Sequence, residues 1–103
     1  MNYANKIGYT DVNPCEVIKV ISDITLEIRD MDSVRRETFT PEWIPGGFSA
    51  ICTNQWSQEW DITSNEEHPI IRIRLSKNKG WQDKHGQKYT LSDEPHKFYD
   101  YNF

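Results

Sequence analysis

A chain of 103 residues, 27% charged and with a net charge of −4, has the length of one domain with one modest core. The acidic balance argues against a dedicated DNA-coating protein, and an aromatic content of 13% is too high for a disordered segment. No apolar run approaches the length of about 18 residues that a membrane-spanning helix needs, and no signal-peptide pattern opens the chain, so a cytoplasmic protein is expected.

The first periodic segments are "CEVIKVIS" (15–22) and "ITLEIRDM" (24–31), read as the two strands of a hairpin. The second alternates cleanly, with Ile24, Leu26 and Ile28 on one face and Thr25, Glu27 and Arg29 on the other. The first does not. Val17, Val20, Ile21 and Ile24 fall at helical spacing, with Asn13, Pro14 and Glu16 placed as N-cap, N1 and N3. A helix over 15–24 is therefore the rival to the strand, which its β-branched content favours. Residues 32–47 read as a long loop broken by Pro41, Pro45, Gly46 and Gly47, with room for a short helix in 33–43. Strands follow at 47–53 and 57–64.

"PIIRIRLSK" (69–77) has the clearest period of two: Ile71, Ile73 and Leu75 inward, Arg72, Arg74 and Ser76 outward. "GWQD" and "QKYTLS" flank Lys84–Gly86 as a hairpin, with Gly86 at a left-handed position. The closing "FYDYNF" (98–103) reads as a final strand or an extended arm folded back on the domain. Tyr99, Tyr101 and Phe103 would face inward, and Phe98, Asp100 and Asn102 outward. Truncation before Phe98 is expected to prevent folding. Short strands at this spacing predict an all-β domain over residues 1–103, a single small barrel or sandwich, with an SH3-like barrel as the first choice. Leu and Val are scarce, so the aromatic side chains, each burying about 150–250 Å², are expected to form the core. Cys15 and Cys52 sit in apolar runs and are expected to be reduced, core-type thiols.

Chemistry is harder to find. His68, His85 and His96 all read as solvent-side loop residues, and no zinc-protease, nucleophile-elbow or phosphate-loop motif occurs. The paired carboxylates Asp30/Asp32 and Glu66/Glu67 read as solvated turns. A non-enzymatic protein with no cofactor and no metal is the expectation. The most suggestive stretch is "IRIRLSKNKGW" (71–81). Arg72 and Arg74 on one strand face, followed by Lys77, Lys79 and Trp81, could hold phosphate or carboxylate beside a stacked base. The plain alternative is a solvated strand face paired across to Glu59 or Asp61. Trp56 and Trp60, four apart on one strand, would flank a groove or lie in the core. "IPGGF" (44–48) would let the backbone approach a packing neighbour or a ligand closely. Charge is unevenly divided: residues 1–68 carry five Lys/Arg and twelve Asp/Glu, residues 69–103 seven and four.

The blocks "KIGYTD" (6–11), "IPGGFSAICTNQ" (44–55), "IRIRLSK" (71–77) and "KFYDYNF" (97–103) are similar to a family of small uncharacterised bacterial proteins found in prophages and other mobile elements. The resemblance spans nearly the whole chain. It implies a small phage-type protein that binds and blocks a host machine, such as an anti-CRISPR-like inhibitor of a defence nuclease. A protein partner is then expected, with the acidic front of the chain available to mimic nucleic acid. Binding of nucleic acid or a nucleotide through the Arg/Lys/Trp face is the alternative.

Overall fold

The computed structural model of the chain describes residues 2–46 and 49–101. The described residues form nine strands: β1 (Tyr3–Ile7), β2 (Val12–Ser22), β3 (Thr25–Arg35), β4 (Trp43–Gly46), β5 (Ser49–Cys52), β6 (Trp60–Ser64), β7 (Ile70–Ser76), β8 (Gly80–Gln82) and β9 (Lys88–Ser92). Among the described residues the only helical turn is a 3-10 turn at Gln55–Ser57. Six of the strands, all antiparallel, close into a barrel in the order β1-β2-β3-β7-β8-β9 and back to β1. Closure removes the sheet edges that would otherwise invite pairing with another chain.

β3 organises the domain. Its first half pairs with β2 on one side and β7 on the other. Its second half, Met31 to Arg35, leaves the barrel and pairs with β6. Among the described residues the loop expected over 32–47 is therefore confined to residues 36–42, because residues 32–35 continue β3 and residues 43–46 form β4, and no helix forms in 33–43. The strand at 57–64 starts only at Trp60, after the 3-10 turn. Residues 15–22 are strand, and their helical spacing has a cause: the β2–β3 ladder shifts register between Val17 and Lys19 and again between Val20 and Ser22. Each shift changes which face the next side chain takes. β1 was not legible as a strand in the sequence, yet it supplies the closing ladder to both β2 and β9. The β8–β9 turn matches expectation, with Gly86 at φ 82°, a conformation that costs glycine little.

The barrel core is mostly aliphatic. Ala4, Cys15, Leu26, Ile28, Ile73 and Tyr89 are buried, and Val17, Ile71, Trp81 and Leu91 pack against them. Among the described residues only two rings, those of Trp81 and Tyr89, belong to it, because the lumen of a six-stranded barrel is narrow and favours small and branched side chains. The expected aromatic core is thus displaced to a second cluster outside the barrel. Tyr101 sits 6.1 Å from the rings of both Phe39 and Trp43, Tyr99 lies edge-on to Tyr101 at 4.8 Å, and Phe98 stacks on Trp56 at 5.0 Å.

The C-terminal segment is the arm that builds this cluster. Phe98 exchanges two backbone hydrogen bonds with Val12, both 2.9 Å, and among the described residues this single bridge is the arm's only ladder pairing. Beyond it, side chains of the body hold the arm by its backbone. The Tyr99 N–H donates to Gln58 Oε1 (2.8 Å), that of Asp100 to Asp11 Oδ1 (2.7 Å) and that of Tyr101 to Gln55 Oε1 (3.0 Å). Upstream, the His96 N–H donates to Asn5 Oδ1 (2.9 Å), which leaves Asn5 only 1% exposed. The segment is an arm rather than a strand. Its inward/outward alternation fails because Phe98, expected outside, is half-buried on Trp56, while Tyr99 remains 46% exposed. Phe103, like Gly47 and Phe48 of the "IPGGF" stretch, lies outside the described residues.

Candidate functional site

Cross-strand partners share a face of the sheet, so the ladders show what lines the lumen. Lys6 opposes Tyr89, Tyr89 opposes Trp81, and Cys15 opposes both Ala4 and Asp30. One end of the interior is therefore apolar, around Leu26, Ile73 and Trp81, and the other is polar, around Lys6, Asp30, Cys15 and Tyr89. At the polar end Asp30 Oδ1 accepts from Lys6 Nζ (3.1 Å) and from the Cys15 thiol (3.2 Å). The Tyr89 hydroxyl donates to Asp83 Oδ2 at 3.2 Å. Asp30, expected as a solvated turn residue, is a half-buried acceptor instead.

These contacts set protonation. Burial, reinforced by the neighbouring Asp30 carboxylate, pushes the Cys15 thiol up to about 12. Burial and the adjacent Asp83 likewise raise the Tyr89 phenol. Burial opposes ionisation of Asp83 itself, but the backbone N–H groups of His85 and Gln87 and the Tyr89 hydroxyl outweigh it and hold the carboxyl below its ordinary value. Cys15 is thus a structural donor and not a nucleophile. Burial and the Asp30 carboxylate both disfavour the Cys15 thiolate near neutral pH. Iodoacetamide should leave Cys15 of the folded chain unmodified over hours and label it within minutes in denaturant, as read by peptide mass. Labelling of the native protein at the rate of a free thiol would contradict this. Both cysteines are buried thiols, and that of Cys52 donates to Asn54 Oδ1 at 3.4 Å.

A groove opens beside the polar end. The β7–β8 ladder covers only Arg74 to Ser76 of β7. Beyond Gln82 the chain turns away through residues 83–87, leaving a gap in the wall next to Ile70–Arg72. The resulting cavity is about 780 Å³. Ile70, Ile71 and Tyr89 provide its apolar lining, and Lys6, Arg72, Arg74, Lys84, His85 and Asp83 its charged and titratable groups.

The residues singled out in the sequence are dispersed around this geometry. Arg72 and Arg74 point away from the core, as expected, and both border the groove. Arg72 bonds Glu27 Oε2 at 3.3 Å, its direct neighbour on β3. The carboxylates proposed for it, Glu59 and Asp61, belong to Arg36, at 3.6 and 2.9 Å. Lys77 and Lys79 are exposed in the β7–β8 turn, at the opposite end of β7 from the groove. Trp81 packs on the core and cannot stack a base beside the arginines. Trp56 and Trp60 do not share a strand face, because Trp56 is in the 3-10 turn. Trp56 is 82% exposed and stacked on Phe98, while Trp60 lies beneath the Lys97 ammonium at 5.2 Å. His68 is no free loop residue: its Nε2 meets Asp32 Oδ1 at 2.8 Å. His85 and His96 are exposed, as are Glu66 and Glu67. Among the described residues no three His, Cys, Asp or Glu side chains converge to hold a metal ion, and no helix is long and apolar enough to cross a membrane.

The sequence reading missed Lys6, Asp83, Lys84 and Tyr89. Tyr89 was legible in principle, since "QKYTLS" alternates with Tyr89 and Leu91 in phase. Lys6 was not, because β1 carries no periodic apolar pattern. Replacing Arg72 and Arg74 together with alanine should leave the fold intact. Both are exposed, and exposed ion pairs contribute only about 0–1 kcal/mol. A melting temperature within a few degrees of wild type is expected, and a collapse of the thermal transition would show the pair to be structural.

Comparison of the chain with protein-family models, with curated proteins and with solved structures finds no match.

Proposed function

We propose that the protein is a non-enzymatic binding protein of phage or mobile-element type that docks a protein partner in the cytoplasm, in the manner of an inhibitor of a host defence nuclease. The observation that supports this reading is the β4–β5 hairpin. It forms a separate two-stranded sheet, in which Ile44 pairs with Ile51, and they are 50% and 45% exposed. Trp43 beside them is 49% exposed, and Trp56 nearby in sequence 82%. A two-stranded ribbon is marginal by itself in water, and its free edges and apolar pairs are what strand addition and aromatic anchoring use. The phage context comes from the resemblance of four sequence blocks.

The test is a pull-down from host lysate with the full chain and with an Ile44→Ser/Ile51→Ser variant, each with and without nuclease treatment. A protein retained after nuclease and lost by the variant is expected. A partner that vanishes with nuclease would move the reading to nucleic acid.

A further inference from the structure

We infer that the groove between β7 and the β8–β9 turn binds a phosphorylated small molecule of about mononucleotide size, with its phosphate on Arg74 and Lys84 and its organic part over Ile70 and Ile71. The site is independent of the hairpin and of any protein partner.

Four observations meet here. The first is size. A cavity of about 780 Å³ falls within the range of small-molecule sites, about 300–1,000 Å³, and far exceeds what an inorganic anion fills. The second is charge. Four lysines and arginines line the groove against one carboxylate, in a chain whose net charge is −4. Three of the seven lysines and arginines of residues 69–103, Arg72, Arg74 and Lys84, meet in this groove.

The third observation is which of these charges are uncommitted. Lys6 is held by Asp30, and Arg72 by Glu27. Arg74 and Lys84 make no ion pair among the described residues and are exposed. Asp83, the one carboxylate in the lining, is already engaged by the His85 N–H (2.8 Å), the Gln87 N–H (3.1 Å) and the Tyr89 hydroxyl (3.2 Å). Its hydrogen bonds are spent on the turn that carries Lys84, and it makes no ion pair with a lysine or arginine of the lining among the described residues. Guanidinium and ammonium groups on opposite banks of one cleft suit a dianionic phosphate better than a single carboxylate.

The fourth is the apolar lining. Ile70 is 54% exposed on the rim, with Ile71 and the ring of Tyr89 further in. Covering this surface rewards a ligand that has an organic body beyond its phosphate.

Adenosine monophosphate, adenosine and inorganic phosphate are the probes, titrated at low salt into the full chain and followed by amide NMR shifts and calorimetry. Adenosine monophosphate should move the amides of Arg72, Arg74, Lys84 and His85 and bind at least tenfold more tightly than adenosine or phosphate alone. Arg74→Gln and Lys84→Gln should each weaken it by about tenfold, the loss of one charged hydrogen bond. Both side chains are exposed, so thermal unfolding should not change, and folding failure will not mask the result. Binding of adenosine as tight as that of the monophosphate, shifts mapping elsewhere, no detectable binding, or unchanged affinity in the double variant would each overturn the assignment. None of these outcomes depends on whether the hairpin captures a protein.

Discussion

Deletion of residues 98–103 is expected to abolish the cooperative thermal transition or to lower it by 20 °C or more, on the order of 5 kcal/mol lost in a domain of this size. The hydrogen-bonded ring of the barrel runs from β1 to β9 and does not include this segment, so the loss has another origin. The deletion removes the two backbone bonds to Val12 and three backbone N–H groups from the side chains of Gln58, Asp11 and Gln55. Each such bond contributes about 0.5–1.5 kcal/mol. It also removes the ring stacked on Trp56 and the one packed between Phe39 and Trp43. Phe39, 5% exposed in the intact chain, would face water. Such losses match the whole net stability of a small domain. Near-UV circular dichroism and a thermal melt measure the effect. A truncated chain that melts cooperatively within a few degrees of full length would show that the arm is a surface tail, free to grip a partner.

Ile28→Ala should cost about 2–5 kcal/mol. Ile28 is wholly buried in the first half of β3, opposite Val17 of β2 and Ile71 of β7. Three strands meet at this side chain, and the ladders on both sides hold their backbones, so the cavity cannot collapse. At about 4–8 °C per kcal/mol for a domain of this length, the melting temperature should fall by 10 °C or more. Val34→Ala is the control: Val34 is 65% exposed on the part of β3 outside the barrel, and its loss should be close to neutral. Equal effects of the two changes would mean that the barrel core does not carry the stability.

The contrast between β7 and β2 shows how far the pattern of residues could be read. Along β7, Ile71 and Ile73 alternate with Arg72 and Arg74, and one face is core and the other solvent, as the period of two requires. Along β2 the same chemistry gives a helical spacing, because two register shifts reset the phase. β1 offered no pattern, since "YANKI" alternates Ala4 and Lys6 inward against a buried Asn5 outward. The Asn5 side chain is satisfied by distant partners: its amide donates to Ser92 Oγ on β9 at 2.8 Å, and its Oδ1 accepts the His96 N–H of the arm. A strand whose polar residue is satisfied from 91 positions away cannot be recognised from its own five residues.

Three things were set by the residues themselves: the all-β class, the outward placement of Arg72 and Arg74, and the left-handed turn at Gly86. Each depends on local sterics or on the alternation of a single strand, and those act over a few residues. Tertiary structure alone decided the rest. Among the described aromatic residues the narrow lumen admits Trp81 and Tyr89, while Phe39, Trp43, Trp56, Phe98, Tyr99 and Tyr101 make ring contacts outside it that only the returning arm could complete. The gap beside β7 arose because the β8 ladder is three pairs long, a consequence of where the next turn departs. That gap puts Arg74 and Lys84 in the lining of one groove, and the β1–β9 ladder sets Lys6 against Tyr89, 83 positions away. Closure of a barrel joins residues distant in sequence through hydrogen-bond register, and no local pattern records which of them will meet.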